Sequence, residues 1–260
     1  MEAEIAIIGG TGATLDLLED RKEAKVHTPY GSPSDFITVG ILAGKKVAFL
    51  PRHGKGHSIQ PGRINSRANI YALKELGVKR ILAPGAVGSL QDWIRPGEFV
   101  FADQFIDRTR ERASSFYEGS QVCHISVAEP FCPELRAIFK KASQGLGLGF
   151  HDRGTYVCIE GPRFSTRAES RLFRSWGGHV IGMTLVPEAV LAREAEICYA
   201  SICMVTDWDT FKERPVSVED IVKTAKANEE KLKGLITKAI TWIPQERACH
   251  CKDALKDALI

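Results

Sequence analysis

Two carboxylates separated by one residue stand at Asp207-Trp208-Asp209, one residue after the apolar run 199–205. On an extended backbone residues i and i+2 point the same way, so both carboxyls would face one site. Crowding like charges raises the pKa of one of them. A carboxyl kept protonated near neutrality can donate to a leaving group. An acidic turn or a helix N-cap would use the same residue types. Gly9-Gly10-Thr11-Gly12 follows a second apolar run, 4–8. Glycines let backbone N–H groups close around an anion, and Thr11 adds a hydroxyl. The third glycine and the distant acidic residue of a dinucleotide site are missing, as is the Gly-Lys-Ser/Thr of a triphosphate loop. A small anion loop remains.

Pro51-Arg52-His53-Gly54 follows a further apolar run. Arg52 is a permanently charged, planar donor suited to phosphate, and His53 could add a second contact. A surface turn with a packed imidazole is the other reading. Pro84-Gly85-Ala86-Val87-Gly88-Ser89 offers another close backbone approach at Ala86, and Thr184 a further hydroxyl. One guanidinium, two hydroxyls and glycine-exposed amides describe a site for free phosphate. They do not describe a nucleoside triphosphate site, because no carboxylate for Mg²⁺ accompanies them. Phe164, in Gly161-Pro162-Arg163-Phe164-Ser165, could stack on a heterocycle or anchor the core. Glu188, after Pro187, could accept from sugar hydroxyls or complement a helix dipole.

These residues need a scaffold that brings them together. Apolar runs bounded by Gly and Pro predict strands at 4–8, 80–83 and 98–102. The segments 36–42 and 46–50, joined at Ala43-Gly44-Lys45, predict a hairpin. Helical spacing predicts helices at 66–76 and 133–144. Then strand 155–159, helix 166–176, strand 180–183, helix 187–196, strand 199–205 and a long helix 217–242 alternate. That alternation predicts an α/β sheet with helices on both faces. Ligands bind such sheets where strands end. Residues 9–12, 51–57, 84–89, 160–165, 183–188 and 206–209 all fall at such points, which predicts one composite site. The chain reads as one domain, 1–260, with 217–260 a terminal helix and extension covering the site.

Composition narrows the function classes. Of 260 residues, 44% are apolar and 26% charged, which suits a globular fold rather than a disordered chain. No apolar run approaches the ~20 residues of a membrane span, so no membrane partner is expected. The opening MEAEIAIIGG has no basic region ahead of its apolar run. A secretory signal is not expected, and the expected location is the cytoplasm. The net charge of +3 is too mild for the concentrated basic face of a nucleic-acid binder. Seven cysteines, odd in number and scattered, do not form a secreted disulfide framework. Cys249-His250-Cys251 alone is too little for tetrahedral zinc, which needs four ligands. No metal and no cofactor are expected.

Taken together, Ile7-Ile8-Gly9-Gly10-Thr11-Gly12, Arg52-His53-Gly54, Asp103-Gln104-Phe105-Ile106-Asp107-Arg108-Thr109 and Ala128-Glu129-Pro130-Phe131-Cys132 resemble the trimeric purine nucleoside phosphorylases. So do Ile159-Glu160-Gly161-Pro162-Arg163-Phe164, Met183-Thr184, Val186-Pro187-Glu188 and Thr206-Asp207-Trp208-Asp209. The likeness is greatest to the branch acting on 5′-methylthioadenosine and runs from about Ile5 to Ile240. It implies a single-domain α/β fold with a central mixed, twisted sheet. It also implies phosphorolysis to adenine and 5-methylthioribose 1-phosphate, with inorganic phosphate as co-substrate. By resemblance, Thr11, Arg52, His53, Ala86 and Thr184 bind phosphate, and Met183 and Glu188 hold the ribose. Phe164 and Ser165 border the base, Thr206 lies beside it, Asp207 protonates N7, and Asp209 meets the 6-amino group. Val218 and Ile221 line a methylthio pocket. His124 enters a neighbouring subunit's site in a trimer or dimer of trimers. Aspartate at 207 favours 6-amino over 6-oxo purines. Methylthioinosine or broad purine nucleoside phosphorolysis is the alternative. Gly85 and Gly182 stand where relatives carry polar residues. The tail cysteines resemble those of hyperthermophilic relatives, which implies disulfides such as Cys132–Cys203, Cys198 to the tail, or Cys249–Cys251.

Overall fold

The computed structural model describes residues 2–9, 15–212 and 216–260. In chain order the strands and helices are β1 (Ile5–Gly9), β2 (Glu19–Ala24), β3 (Ile37–Leu42), β4 (Lys45–Pro51), α1 (Ser66–Glu75), β5 (Arg80–Ser89), β6 (Phe99–Val100) and β7 (Gln104–Arg108). They continue with α2 (Pro133–Gly145), β8 (Phe150–His151), β9 (Thr155–Ile159), α3 (Arg167–Ser175), β10 (Val180–Gly182), α4 (Leu185–Glu194), β11 (Cys198–Trp208) and α5 (Val218–Trp242). Every strand and helix expected from the sequence forms, within a few residues at most ends. The turn between β3 and β4 places Ala43 and Gly44 at φ of 51° and 74°, the backbone that a two-residue hairpin loop requires.

The strands make one mixed sheet. Its main path is β2-β3-β4-β1-β5-β10-β9-β7, and β11 lies along β5 with β6 and β8 beyond it. The β1–β4, β1–β5, β5–β11 and β9–β10 pairs are parallel, whereas β3–β4 and β5–β10 are antiparallel. Strict alternation along β1 and β11 divides the core into two layers. Ile8, Tyr199 and Val205 pack with α1 and α4 through Ile70, Leu73 and Ala189. Ile7, Ile202 and Met204 pack with α2 and α5 through Phe139, Ile236 and Ile240. Among the described residues, no helix is long and apolar enough to cross a membrane.

Strand β5 does more than its short apolar run suggests. It was expected to end at residue 83, before Pro84. Instead it continues to Ser89, with β11 paired along its whole length. On its other edge β1 pairs Arg80 to Leu82, and β10 pairs Gly88 and Ser89. Between them, residues 83–87 meet no strand on that edge among the described residues. The Pro84 carbonyl accepts from Arg52 Nη1 at 3.0 Å on this open side. In a strand a residue's N–H and C=O point to the same side, so the missing proline N–H removes nothing from the β11 ladder. The far end of this gap, Ala86 and Val87, lines the cavity described below.

The cysteine expectations need correction. All seven cysteines are free. Cys198 and Cys203 are five residues apart on β11, so they face opposite layers. Cys132 shares the Cys198 layer, and no Cys132–Cys203 bond is present. Cys203 Sγ lies 3.4 Å from Ser201 Oγ instead. Nor is the C-x-C alone, because Cys132 and Cys198 sit with Cys249 and Cys251 in one buried group.

Candidate active site

The ends of β5, β9, β10 and β11 open onto a cavity of about 490 Å³, within the range that encloses a small organic ligand. Ala86, Val87 and Gly88 come from β5, Thr206 and Asp207 from β11, and Asp209 from just beyond it. Phe164, Ser165, Met183 and Thr184 complete the rim. Val218, Ile221 and Val222 supply an apolar wall from the first turns of α5. Segments 84–89, 160–165, 183–188 and 206–209 therefore meet at one cavity, two of them as strand rather than loop, and 51–57 reaches it through His57. The 9–12 loop lies outside the described residues beyond Gly9. The extension after Trp242 does not join this wall. It runs to the opposite end of β11, where Cys249 Sγ lies 3.3 Å from Cys198 Sγ. The covering role expected of 217–260 within its own chain thus narrows to the start of α5.

Asp207 is aimed by an irregularity that the sequence does not announce. The β5–β11 register shifts between Val205 and Asp207, leaving Thr206 unpaired. Such a bulge re-aims the side chains that follow it. Thr206 Oγ1 donates to Asp207 Oδ1 at 2.7 Å, and it also lies 3.2 Å from the Val87 carbonyl. Burial pushes the Asp207 carboxyl up to about 6, and the nearby Asp209 charge adds to the rise. Asp209 is 3% exposed, and Ser165 Oγ lies 2.8 and 2.7 Å from its two carboxylate oxygens. Gly88 leaves room beside the pair. A Cβ there would stand 3.1 Å from Asp207 Oδ2 and 3.5 Å from Asp209 Cβ.

Behind the cavity wall lies a buried ion pair. Arg52 Nε and Nη2 donate to Glu188 Oε1 and Oε2 at 2.9 and 3.0 Å. Tyr199 donates to Glu188 Oε2 at 2.7 Å. Of the five guanidinium N–H groups, two find no protein partner among the described residues. A Cβ at position 85 would come no closer than 4.0 Å to Arg52 Nη1, so the guanidinium does not itself require glycine there. Glu188 was expected to face a sugar, but its carboxylate is buried against Arg52 and Tyr199 and is absent from the cavity wall.

His53 is likewise displaced from its expected role. Its ring is buried, and Nδ1 sits 2.8 Å from the Ile59 carbonyl. A carbonyl only accepts, so Nδ1 carries the proton. Burial, the Arg52 charge and His57 hold this imidazole down at about 4. His57 stacks on it at 4.0 Å between ring centroids and is the histidine that reaches the cavity. Thr11 lies outside the described residues. His124 is exposed on the surface of its own chain, where its backbone N–H bonds the Ala258 carbonyl at 2.7 Å.

Gly182 has a steric explanation. A Cβ there would meet the Tyr156 hydroxyl at 1.9 Å, so Tyr156 occupies the volume a polar side chain would need. Arg112 was missed altogether. It donates to Met183, Val186, Ile159 and Glu160 carbonyls at 2.7, 2.6, 3.3 and 2.6 Å, and to Glu160 Oε1 at 3.0 Å. One planar fork thereby locks the loops after β9 and β10 together. Only its place within the charged stretch Arg108–Arg112 could have pointed to it, and a charged stretch is normally solvated. Arg112→Met should lower unfolding free energy by about 2–3 kcal/mol, the scale of lost charged hydrogen bonds, as read by urea denaturation.

Residues 4–241 match the family model for the phosphorylase superfamily. The chain belongs to that superfamily. Within it, this phosphorylase is 54% identical to the S-methyl-5′-thioadenosine phosphorylase of Thermofilum pendens over 260 residues, 100% of this chain and 99% of that protein. A methylthioadenosine phosphorylase from an antarctic soil metagenomic library superposes with a TM-score of 0.94 at 44% identity, covering 100% of this chain and 93% of the other. A variant adenosine/methylthioadenosine phosphorylase of Schistosoma mansoni, in complex with methylthioadenosine, superposes with a TM-score of 0.92 at 38% identity, covering 98% and 96%. The mixed sheet and flanking helices are those of the phosphorylase fold.

Proposed function

We propose that this phosphorylase cleaves S-methyl-5′-thioadenosine with inorganic phosphate, giving adenine and 5-methylthioribose 1-phosphate. The observation that carries the reading is Asp207, a carboxyl raised to about 6 in a cavity that also holds Thr184 and Ala86. Arg52 stands behind the same wall. The bond from C1′ to N9 breaks as a phosphate oxygen bonds C1′. The electron pair goes to the purine, and Asp207 supplies the proton to N7. The sugar is cation-like at the transition state, and an anion held beside C1′ stabilises that charge.

Arg52, Ala86, Thr184 and Thr11 hold the phosphate in this reading, with His57 reaching the cavity in place of His53. Glu188 acts chiefly by fixing the Arg52 fork, and Met183 borders the ribose. Phe164 covers the base. Asp209, steadied by Ser165, approaches the 6-amino group. Thr206 holds Asp207 Oδ1, which leaves Oδ2 as the oxygen that carries the proton. Val218 and Ile221 receive the methylthio group. His124, exposed on its own chain, serves a neighbouring subunit in a trimer or dimer of trimers. The proposed setting is the cytoplasm, and the chemistry proposed here asks for no cofactor beyond phosphate.

A panel of methylthioadenosine, adenosine, methylthioinosine and inosine, each with and without phosphate, tests the proposal through released base. Methylthioadenosine should give the highest kcat/KM, and release should require phosphate. Faster phosphorolysis of a 6-oxo substrate would move the assignment to the inosine-type enzymes. Binding of adenine nucleosides without base release would make the chain a binding module.

A further inference from the structure

Four cysteines gather far from the cavity. Cys132 caps the start of α2 and Cys198 opens β11, while Cys249 and Cys251 come from the extension. All four are buried, and their sulfurs lie within 4.8 Å of one another. Cys249 Sγ stands 3.6 Å from Cys132 Sγ and 3.3 Å from Cys198 Sγ. A disulfide needs about 2.0 Å. A tetrahedral zinc thiolate, with Zn–S near 2.3 Å, sets its sulfurs about 3.8 Å apart. The observed spacing fits the second arrangement. We propose that Cys132, Cys198, Cys249 and Cys251 form a structural tetrathiolate site for one Zn²⁺.

The surroundings suit that charge. Four thiolates around Zn²⁺ carry a net charge of −2, with the four thiol protons released to water. Cys132 sits at the N-terminus of α2, where the helix dipole presents its positive end to the group. Arg193 Nη1 approaches Cys251 Sγ at 3.9 Å. The other three cysteines are placed differently. Cys158 Sγ accepts from the Val186 N–H at 3.4 Å, Cys203 pairs with Ser201, and Cys123 is half-buried beside the chain end. Three segments distant in sequence thus converge at the four-sulfur group. A metal there would pin the extension to the start of β11, at the end of the strand opposite Asp207.

Full-length protein, purified without added metal or reductant, should hold one zinc per chain by elemental mass spectrometry. All seven cysteines should titrate in denaturant plus chelator without prior reduction. Replacement by Co²⁺ should give the visible bands of a tetrahedral cobalt thiolate. Cys251→Ser should lower metal content at least tenfold, whereas Cys123→Ser should leave it unchanged. Four thiols that appear only after reduction would identify disulfides and overturn the proposal. Seven free thiols without bound metal would overturn it equally. None of these readings depends on the phosphorolysis assay, so the two proposals fail separately.

Discussion

Asp207→Asn should lower kcat/KM for methylthioadenosine by about 10²–10⁴, the usual contribution of a positioned general acid. The pH dependence makes the test specific. In the parent enzyme the carboxyl is protonated below about 6. The free-enzyme kcat/KM should therefore fall as pH rises through that value, and the limb should vanish in the variant. Base preference should move as well. Adenine presents an N6–H donor beside the N7 acceptor, whereas a 6-oxopurine presents acceptors at both. Asparagine can donate to both acceptors of the latter, so methylthioinosine should gain relative to methylthioadenosine. Stability should change in the opposite sense to activity. A carboxyl whose folded pKa is raised contributes stability that is fully present below its unfolded value of 3.8 and lost as pH rises through about 6. The neutral asparagine escapes that loss. The variant's Tm should exceed the parent's at pH 8, and the gap should close near pH 4. An unchanged pH profile and unchanged base preference would remove Asp207 from the chemistry.

Arg52→Met should act on phosphate and on the fold together. Two guanidinium N–H groups are left for the anion in the proposed function, and charge-assisted bonds contribute about 1.5–3 kcal/mol each. KM for phosphate should rise about a hundredfold or more, with the nucleoside KM much less affected. Glu188, 1% exposed, would lose its cation. Breaking a buried pair from one side destabilises by about 3–5 kcal/mol, and Tyr199 alone does not compensate. Adding Glu188→Gln should recover much of the stability in urea denaturation without recovering phosphate affinity. Recovery of both would show that the pair is structural only and that phosphate binds elsewhere.

The elements that read well in the sequence share a physical character. The alternation from 155 to 242 survives because each strand is a compact apolar run and each helix begins at a recognisable stop or cap. Thr166 and Glu169 even form a capping box. The edge strands β2 and β7 were missed because their residues are mostly exposed or half-buried. A charged edge strand has no apolar signature. β5 was cut short at Pro84, because nothing local reveals that the proline faces an edge without a neighbouring strand.

At the site, the types and general location of the residues were legible, but their orientation was not. The Asp207–Asp209 pair follows from spacing alone. The bulge at Thr206 that re-aims it does not. Both His53 and His57 lie in a loop that the sequence marked, yet only packing decides which ring turns inward. Glu188 shows the deeper limit. A glutamate after a proline near a helix start reads as a ligand group, and only the fold reveals Arg52 and Tyr199 waiting behind it. Long-range partners such as Arg112 and the four clustered cysteines leave no local trace.

The chemistry and the selectivity of this cavity sit on different kinds of structure. The proposed acid, Asp207, and the proposed phosphate contact Ala86 rest on central strands packed into the core. The apolar wall rests on the opening turns of α5, where Val218 and Val222 remain 64% and 53% exposed. Residues so lightly packed can change without disturbing the sheet. Evolution, or a designer, could therefore retune which 5′-substituent is admitted by rewriting a single helical turn, leaving the bond-breaking apparatus inherited intact.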